Sequence, residues 1–229
     1  MKIAVFSFDD GTIHDRQLVR QLNDCGVRAT FNLNSGFFGR TDTLKQGGRE
    51  MDHSHVTPEE IRELYRGHEI AVHTLTHPHL PGLDEEKIVE QVEEDRKNLE
   101  TLSGQTVTSM AYPGGGENSD ARVAEILRRR TKILCARAYL PTYGLEFPTD
   151  ALLWHPTCHI RDPRVPELMR EFESREDGLL FLWAHAYNLH YENLWDRMQA
   201  QIDEIRAMQV PIVTMGEAYR MIFDASPTK

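Results

Sequence analysis

The sequence contains little cysteine, no long basic run and no apolar run of about eighteen residues, the length that a membrane-spanning helix requires. No membrane span is therefore expected. The three cysteines, Cys25, Cys135 and Cys158, are odd in number and far apart, which argues against a disulfide framework and a CxxC metal site. Twenty-six lysines and arginines against thirty-six acidic residues give a net charge of −10, so we expect no nucleic-acid partner.

The amino terminus also lacks the features of a secretory signal. It reads MKIAVFSFDDG, in which a short apolar stretch meets two acids without a longer apolar core or a small-residue cleavage site. We expect a cytoplasmic protein in a reducing compartment. The 229 residues are 40% apolar, and they contain no repeat or linker. Because α/β barrels of about 200 to 250 residues form one unit, we predict a single domain over residues 1–229.

Predicted strands and helices alternate along the chain, which is typical of an α/β protein with parallel strands covered by helices. Seven or eight such units favour a closed (β/α) barrel. An open doubly wound sheet remains an alternative, although neither GxGxxG nor a phosphate loop follows any strand. The predicted strands are residues 3–8, 27–33, 69–73, 107–112, 133–138, 152–159, 179–184 and 210–215.

The helices are marked by apolar residues at spacings of three and four and by their caps. Thr57-Pro58-Glu59-Glu60 is a capping box that opens a helix through residue 65. Further helices are predicted over residues 85–102, after a cap at Ser119 to residue 130, over 163–172 and over 191–208. Residues 34–56 show no periodicity and are glycine-rich, so they predict a lid, a binding loop or a disordered segment.

Two adjacent acids, Asp9 and Asp10, follow the first strand directly. That places them at the carboxyl end of the strand, where the catalytic residues of barrel enzymes lie. Adjacent carboxylates repel each other unless a cation or hydrogen-bond donors compensate them, so a metal ligand beside a proton-transfer group would explain the pair. The alternative is a solvated Asp-Asp-Gly turn.

The segment His73-Thr-Leu-Thr-His77-Pro78 leaves the third predicted strand at the corresponding end. Two imidazoles in this arrangement can converge on one ion, and with Asp10 they give two nitrogens and one oxygen, leaving a position open for water as in catalytic zinc sites. Surface histidines are the alternative. His185 follows another very apolar strand and could protonate a leaving amine, unless it is a hydrogen-bonded core histidine.

Four segments together resemble the polysaccharide deacetylase family, the NodB-homology domain of carbohydrate esterase family 4. They are Phe8-Asp9-Asp10-Gly11, His73-Thr-Leu-Thr-His77-Pro78, Met110-Ala111-Tyr112-Pro113-Gly114-Gly115 and Leu182-Trp183-Ala184-His185. The resemblance spans residues 3–215 and implies a distorted (β/α) barrel with seven or eight strands.

The resemblance also implies roles for individual residues: Asp9 as general base, His185 as general acid, and Asp10, His73 and His77 as metal ligands. It implies substrate contacts at the Tyr112-Pro113-Gly114 turn, where the Gly114 N–H would help to hold the oxyanion.

Two departures from the family pattern concern the same barrel mouth. Ala111 stands where many members have an arginine that orients the catalytic aspartate, and Gly114 replaces a tyrosine. Arg137, near the end of the fifth predicted strand, is a candidate substitute that could pair with Asp9, although it could equally be a surface cation. Trp154 could contact a sugar or acyl methyl, or pack in the core.

From these residues we expect a metal-dependent hydrolase of non-peptide carbon–nitrogen bonds. The resemblance implies deacetylation of an N-acetylated sugar or small glycoconjugate, with zinc as the expected cation and cobalt or nickel as substitutes. A metal-dependent amidase of a small non-sugar amide or ureide, like the family's allantoinase-like relatives, is the first alternative. A non-catalytic ligand-binding barrel and an iron(II) oxygen enzyme are the others. The oligomeric state is left open.

Overall fold

The computed structural model describes residues 1–224, in which ten strands are found. They are β1 (Lys2–Asp10), β2 (Thr30–Leu33), β3 (Thr43–Gln46), β4 (Arg49–Asp52), β5 (Glu69–Val72), β6 (Ser109–Ala111), β7 (Cys135–Arg137), β8 (Cys158–His159), β9 (Gly178–His185) and β10 (Ile212–Val213). Eight of them form one parallel sheet, in the order β7-β6-β5-β2-β1-β9-β8, with β10 also pairing with β1.

The sheet curves into a distorted barrel because the stretch before β8 pairs with β7, the strand at the far end. The Trp154 N–H donates to the Ala136 carbonyl, and the Trp154 carbonyl accepts from the Ala138 N–H. Three residues further on, the Thr157 N–H donates to the Phe181 carbonyl of β9. This stretch therefore closes the barrel as an irregular strand. Of the predicted strand 152–159, only Cys158–His159 is regular. The predicted α/β barrel is confirmed.

Eight α-helices flank the strands within the described residues. They are α1 (Asp15–Asp24), α2 (Ile61–Leu64), α3 (Glu85–Ser103), α4 (Ala121–Arg130), α5 (Val165–Ser174), α6 (Ala186–Tyr191), α7 (Trp195–Ala207) and α8 (Met215–Tyr219). The longest, α3, begins where the Asp84 carboxylate accepts from the Lys87 N–H and ends at Gly104, whose φ of 75° suits glycine. No helix of residues 1–224 has both the length and the apolar character needed to cross a membrane.

The structure corrects two predicted helix boundaries. Asp120, not Ser119, caps α4, because its carboxylate accepts from the Val123 N–H at 2.7 Å. The single helix predicted over residues 191–208 is divided between α6 and α7 by a turn in which Asn193 has a φ of 55°. The capping box at Thr57 is confirmed, although it opens a 3₁₀ turn, Pro58–Glu60, before the short α2.

Residues 34–56 form a defined structure, so disorder was the wrong alternative for this segment. After a 3₁₀ turn at Ser35–Phe37, β3 and β4 pair in an antiparallel hairpin. Gly47 and Gly48 make its two-residue turn with φ values of 58° and 77°, which a primed hairpin turn requires. The Gly-Gly pair was thus a usable sequence signal for the hairpin, which the search for periodicity missed.

A buried histidine below the barrel should make stability depend on pH. His68 accepts from the Ala29 N–H through Nδ1 and donates to Asn23 through Nε2, so it is held neutral. Burial, reinforced by Arg28, lowers the pKa of His68 to about 4 from an ordinary value of about 6.5. Because the unfolded chain takes up the proton first, the stabilising contribution is complete above pH 6.5 and is lost as the pH falls towards 4.

Between pH 7.5 and pH 5, the free energy of unfolding should therefore fall by about 2 kcal/mol more in the wild type than in a His68→Asn variant. The asparagine Oδ1 can accept from Ala29 in place of Nδ1, but it does not titrate. Urea unfolding of both proteins at the two pH values measures the difference. Equal losses in the two proteins would show that His68 does not contribute.

Candidate metal centre and active site

The carboxyl ends of four strands bring the predicted site residues to one mouth of the barrel. Asp9 and Asp10 end β1, and the backbone register pairs Asp9 with His185, the last residue of β9. His73 directly follows β5, and Arg137 ends β7. Because parallel strands all point the same way, residues remote in sequence meet at this end.

Asp10, His73 and His77 come close enough to share a cation. The Oδ1 atom of Asp10 lies 3.5 Å from Nε2 of His73 and 3.7 Å from Nε2 of His77. One ligand atom from each residue can be chosen so that all three lie within 4.8 Å of one another. Asp10 and His77 have φ values of 82° and 56°, a conformation that costs free energy in residues with a Cβ and is found where a site demands it.

Both imidazoles are prepared to offer Nε2 lone pairs. Nδ1 of the buried His73 lies 2.9 Å from the Ala111 carbonyl, so this nitrogen carries a hydrogen. Burial would lower the pKa of His73, but Asp9 and Asp10 hold it above its ordinary value, so a cation bound at Nε2 would take the place of a proton. Burial, together with the neighbouring His73, lowers the pKa of His77 to about 4. His77 is therefore neutral at pH 7, which is the form that binds a metal.

Three residues absent from the sequence prediction hold the His73 segment in place. The Asn34 side-chain amide donates to the carbonyls of His73 and Thr74 at 2.5 and 2.8 Å. Asp95, buried on α3, accepts from the His73 N–H. At Gly36 a Cβ would lie 2.3 Å from the Leu75 carbonyl oxygen, so only glycine fits there. A usable signal for Asn34 was a polar residue directly after the buried strand β2, at the same end as Asp9.

Asp9 is paired with Arg137, which is one of the two alternatives that the sequence left open for this arginine. The Arg137 Nη2 donates to Oδ1 of Asp9 at 2.6 Å and also contacts Oδ2, and both side chains are buried. Asn32 adds a third hydrogen bond, from its amide to Oδ1 at 2.8 Å. Burial alone would raise the pKa of Asp9, but the Arg137 guanidinium holds it below its ordinary value. Asp9 is therefore an ionised carboxylate with a fixed orientation.

His185 lies on the other side of Asp10. Its Nδ1 donates to Oδ1 of Asn188 at 2.9 Å, and its Nε2 lies 3.7 Å from Oδ2 of Asp10. The Asn188 amide in turn donates to Glu192. This chain of hydrogen bonds fixes the imidazole so that Nε2 faces the cavity where a substrate would lie.

A further histidine reaches Asp10 from the β3–β4 hairpin segment. Nε2 of His53 lies 3.3 Å from Oδ2 of Asp10. Burial would raise the pKa of Asp10, but His185, His53 and His73 around it hold that pKa well below its ordinary value. The sequence analysis did not identify His53, because it lies in the segment that shows no periodicity.

A cavity of about 430 Å³ opens over these groups. It is lined by Asp9, Asp10 and several histidines, together with larger apolar or aromatic side chains that include Phe37, Leu44, Tyr139, Trp183 and Tyr187. A cavity of this size with a few convergent polar groups is typical of a site for a small ligand.

Of the four predicted substrate contacts, Tyr112 and Gly114 line the cavity, whereas Pro113 and Trp154 do not. Gly114 lines the cavity with a φ of 83°, and the Tyr112 ring also lines it, although the Tyr112 hydroxyl donates to the Leu152 carbonyl. Pro113 is buried and does not line the cavity. Trp154 was wrong as a substrate contact: it is buried in the core, where its ring packs edge-to-face on Phe181.

Comparison with known proteins agrees with this geometry. The family model described as "Polysaccharide deacetylase" matches residues 1–129, more than half of the chain. The chain belongs to the polysaccharide deacetylase family. The resemblance in the sequence motifs is thereby confirmed. No curated protein matches the chain.

Solved structures of similar fold include enzymes and a pseudoenzyme. The T48 deacetylase, solved with substrate, is 15% identical, with a TM-score of 0.61 over 96% of this chain and 92% of that one. A family 4 acetyl xylan esterase from Clostridium thermocellum, in complex with a cobalt ion, is 15% identical. Its TM-score is 0.62, and the match covers 96% of this chain and 91% of the esterase. A carbohydrate esterase family 4 pseudoenzyme from Bacillus anthracis is 14% identical. Its TM-score is 0.61, and the match covers 96% of this chain and 66% of the pseudoenzyme. At these identities the likeness shows the fold.

In this member of the family, the arginine beside Asp9 comes from a different strand than the motif would supply. Ala111 of β6, where the motif carries arginine in many members, pairs in register with Arg137 of β7. The two positions are thus neighbours across one strand spacing, about 4.8 Å. A long side chain from Arg137 reaches the carboxylate that an arginine at residue 111 would have approached.

Proposed function

We propose that this chain is a metal-dependent deacetylase that hydrolyses the acetamide group of an N-acetylated sugar or small glycoconjugate, and that residues 1–229 act as one catalytic domain. The observation that carries the proposal is the contrast between two adjacent carboxylates. Asp9 pairs with a buried arginine, whereas Oδ1 of Asp10 faces the imidazoles of His73 and His77. Membership of the polysaccharide deacetylase family supports the same reaction class.

The residues fit a divalent cation. Oδ1 of Asp10 is buried and has no hydrogen-bond partner among residues 1–224, so an acceptor is left for a ligand. Two imidazole nitrogens and one carboxylate, with an open position, are the donor set of catalytic zinc, and cobalt or nickel suits the same atoms. When bound there, the cation would polarise the amide carbonyl and lower the pKa of a water molecule.

In the proposed reaction, Asp9 accepts a proton from the water that attacks the acetyl carbon. Arg137 and Asn32 hold the carboxylate in one orientation, and its ionised state allows it to take the proton. The Gly114 N–H donates to the oxygen that becomes negative in the tetrahedral intermediate. Because glycine adopts the φ of 83° without strain, the turn can bring its N–H to the cavity wall.

His185 then donates a proton to the departing nitrogen as the carbon–nitrogen bond breaks. The products are an amine and acetic acid, which ionises to acetate. The water oxygen and one of its protons go to the acid, its other proton goes to Asp9, and the proton that His185 loses is replaced by the one that Asp9 has taken up. The hydrogen bond from Nδ1 to Asn188 keeps the Nε2 side of the protonated ring facing the cavity. Without this proton the leaving group would be an amide anion, which is a very poor one.

The shape of the cavity supports a small substrate. Leu44, His53 and His55, which belong to the hairpin or directly follow it, line one side of the cavity. That side is therefore covered by the chain itself, whereas a polymer bound along its length needs a groove open at both ends. The aromatic walls offer apolar surfaces to the faces of a sugar ring.

The direct test is acetate release from N-acetylglucosamine and its short oligomers, after chelation and then with added zinc, cobalt or nickel. We expect release that disappears with the chelator and returns with a metal. Release of an amine or ammonia only from non-sugar amides or ureides would favour the amidase alternative. No release under any condition would favour a binding barrel like the pseudoenzyme, and oxygen consumption with a 2-oxo acid would favour an iron enzyme.

A further inference from the structure

Four imidazoles surround the Asp10 carboxylate, and one of them, His53, belongs to none of the motifs that mark the family. It follows β4 directly and reaches the mouth of the barrel because the hairpin covers that side. Its side chain is only 16% exposed. Neither the proton transfers proposed above nor the predicted ligand set uses it.

The two oxygens of Asp10 face different partners. Oδ1 faces Nε2 of His73 and of His77, at 3.5 and 3.7 Å, whereas Oδ2 lies 3.3 Å from Nε2 of His53. An ionised carboxylate only accepts hydrogen bonds, so the hydrogen must be on Nε2 of His53. A hydrogen bond to Oδ2 restrains rotation of the carboxylate about its Cβ–Cγ bond. Oδ1 then stays directed at the two imidazoles.

The His53 ring is itself held from two sides. It packs edge-to-face on Tyr187 and on His55, with both pairs of ring centroids 5.0 Å apart. The backbone N–H of His53 donates to the Asp42 carbonyl at 2.9 Å, which fixes the residue that carries the ring. The ring therefore has little freedom to swing away from Asp10.

The backbone on either side of His53 is tied to the barrel. The Asp52 N–H donates to the Tyr191 hydroxyl at 2.8 Å, and the Ser54 carbonyl accepts from the Ile13 N–H at 2.8 Å. Anchors one residue before and one residue after His53 fix where its side chain begins. The hairpin thus acts as a rigid support for the imidazole.

We propose that His53 is a positioning residue of the metal centre, which orients Asp10 so that Oδ1 is presented to the cation with His73 and His77. The inference rests on the proposed metal site and assigns a role to a residue outside it. Asp10 needs such support because its φ of 82° is a strained conformation that neighbouring contacts must maintain. Partners that orient a metal ligand typically contribute 10- to 100-fold to metal affinity, so we expect about that effect here.

The test is zinc affinity, measured by competition with a chromophoric chelator, for the wild type and three variants. His53→Gln keeps an N–H near the Nε2 position, His53→Phe keeps the ring packing but has no donor, and His53→Ala removes both. We expect the dissociation constant to rise about 10- to 100-fold in the Phe and Ala variants. The Gln variant should stay within a few-fold of the wild type. His190→Ala is the matched control, because this exposed histidine lies away from Asp10 and stacks on His14.

Thermal unfolding of the metal-free proteins shows which variants are folded. If the Ala variant is not, the Phe variant, which preserves the packing, carries the comparison with Gln. Wild-type affinity in the Phe variant would overturn the inference and leave the metal site intact. Equal loss in the Gln and Phe variants would also overturn it, because the ring and not its N–H would then matter. A wild type that binds no zinc would remove the metal site itself, and the inference with it.

Discussion

Replacing His73 or His77 by alanine should lower kcat/KM for deacetylation by about a thousandfold, which corresponds to about 4 kcal/mol of transition-state stabilisation. Each substitution removes one of the two nitrogens that face Oδ1 of Asp10. Zinc affinity should fall in parallel. Because the ligands act as one unit, the double variant should be little worse than either single one. Steady-state acetate release and zinc titration measure the two effects.

The control for this experiment is His190→Ala, which removes an exposed imidazole. It should leave both kcat/KM and zinc affinity unchanged. Asp10→Asn is a useful companion, since it preserves the shape of the side chain but removes the negative charge. A His73→Ala/His77→Ala protein with full activity would end the proposal of metal-dependent catalysis at this site.

The sequence was most informative for charged and imidazole side chains that lie directly at the end of a buried strand. Asp9, Asp10 and His185 all follow apolar strands, and parallel strands must bring such ends together, so local pattern and topology together predicted the grouping. Arg137 was predicted by the same reasoning, and its contact with Asp9 is confirmed. No contact between specific atoms was needed for these predictions, only the position of each residue along its strand.

The position of Trp154 could not be predicted because it lies where the strand is irregular. Trp154 lies in the stretch that closes the barrel, and its bridge to Arg137 places its side chain on the same face of the sheet as Arg137, so the register decides how deep the ring lies inside the barrel. The hydrogen bonds to Ala136 and Ala138 set that register and direct the ring onto Phe181 in the core. These bonds join residues that the pattern of apolar positions does not relate, so the sequence alone could not fix how deep the ring lies.

His53 illustrates a second limit. Its contact with Asp10 joins residues 43 positions apart and depends on how the hairpin packs against Tyr191 and Ile13. The Gly-Gly turn can predict that a hairpin exists, but not where it docks. A site residue delivered by a tertiary contact of this kind carries no local signal in a single sequence.

Replacing Arg137 by methionine should lower kcat/KM by at least about a hundredfold and lower the free energy of unfolding by about 3–5 kcal/mol. Arg137 and Asp9 are both buried, so the variant leaves a carboxylate without its partner, and the pKa of Asp9 should rise. Asp9 would then lose both its fixed orientation and part of its ionised population at neutral pH. Acetate release and urea unfolding measure the two losses separately.

The double variant Asp9→Asn/Arg137→Met distinguishes catalysis from stability. It removes both charges, so it should recover much of the lost free energy of unfolding, because no unpaired buried charge remains. It should still be inactive, since asparagine cannot take the proton. An added Ala111→Arg in the Arg137→Met protein should restore part of the activity, because residue 111 lies beside residue 137 in the register. If Arg137→Met alone keeps wild-type activity, Asp9 does not depend on this arginine, and the arginine at residue 137 does not replace the one missing from residue 111.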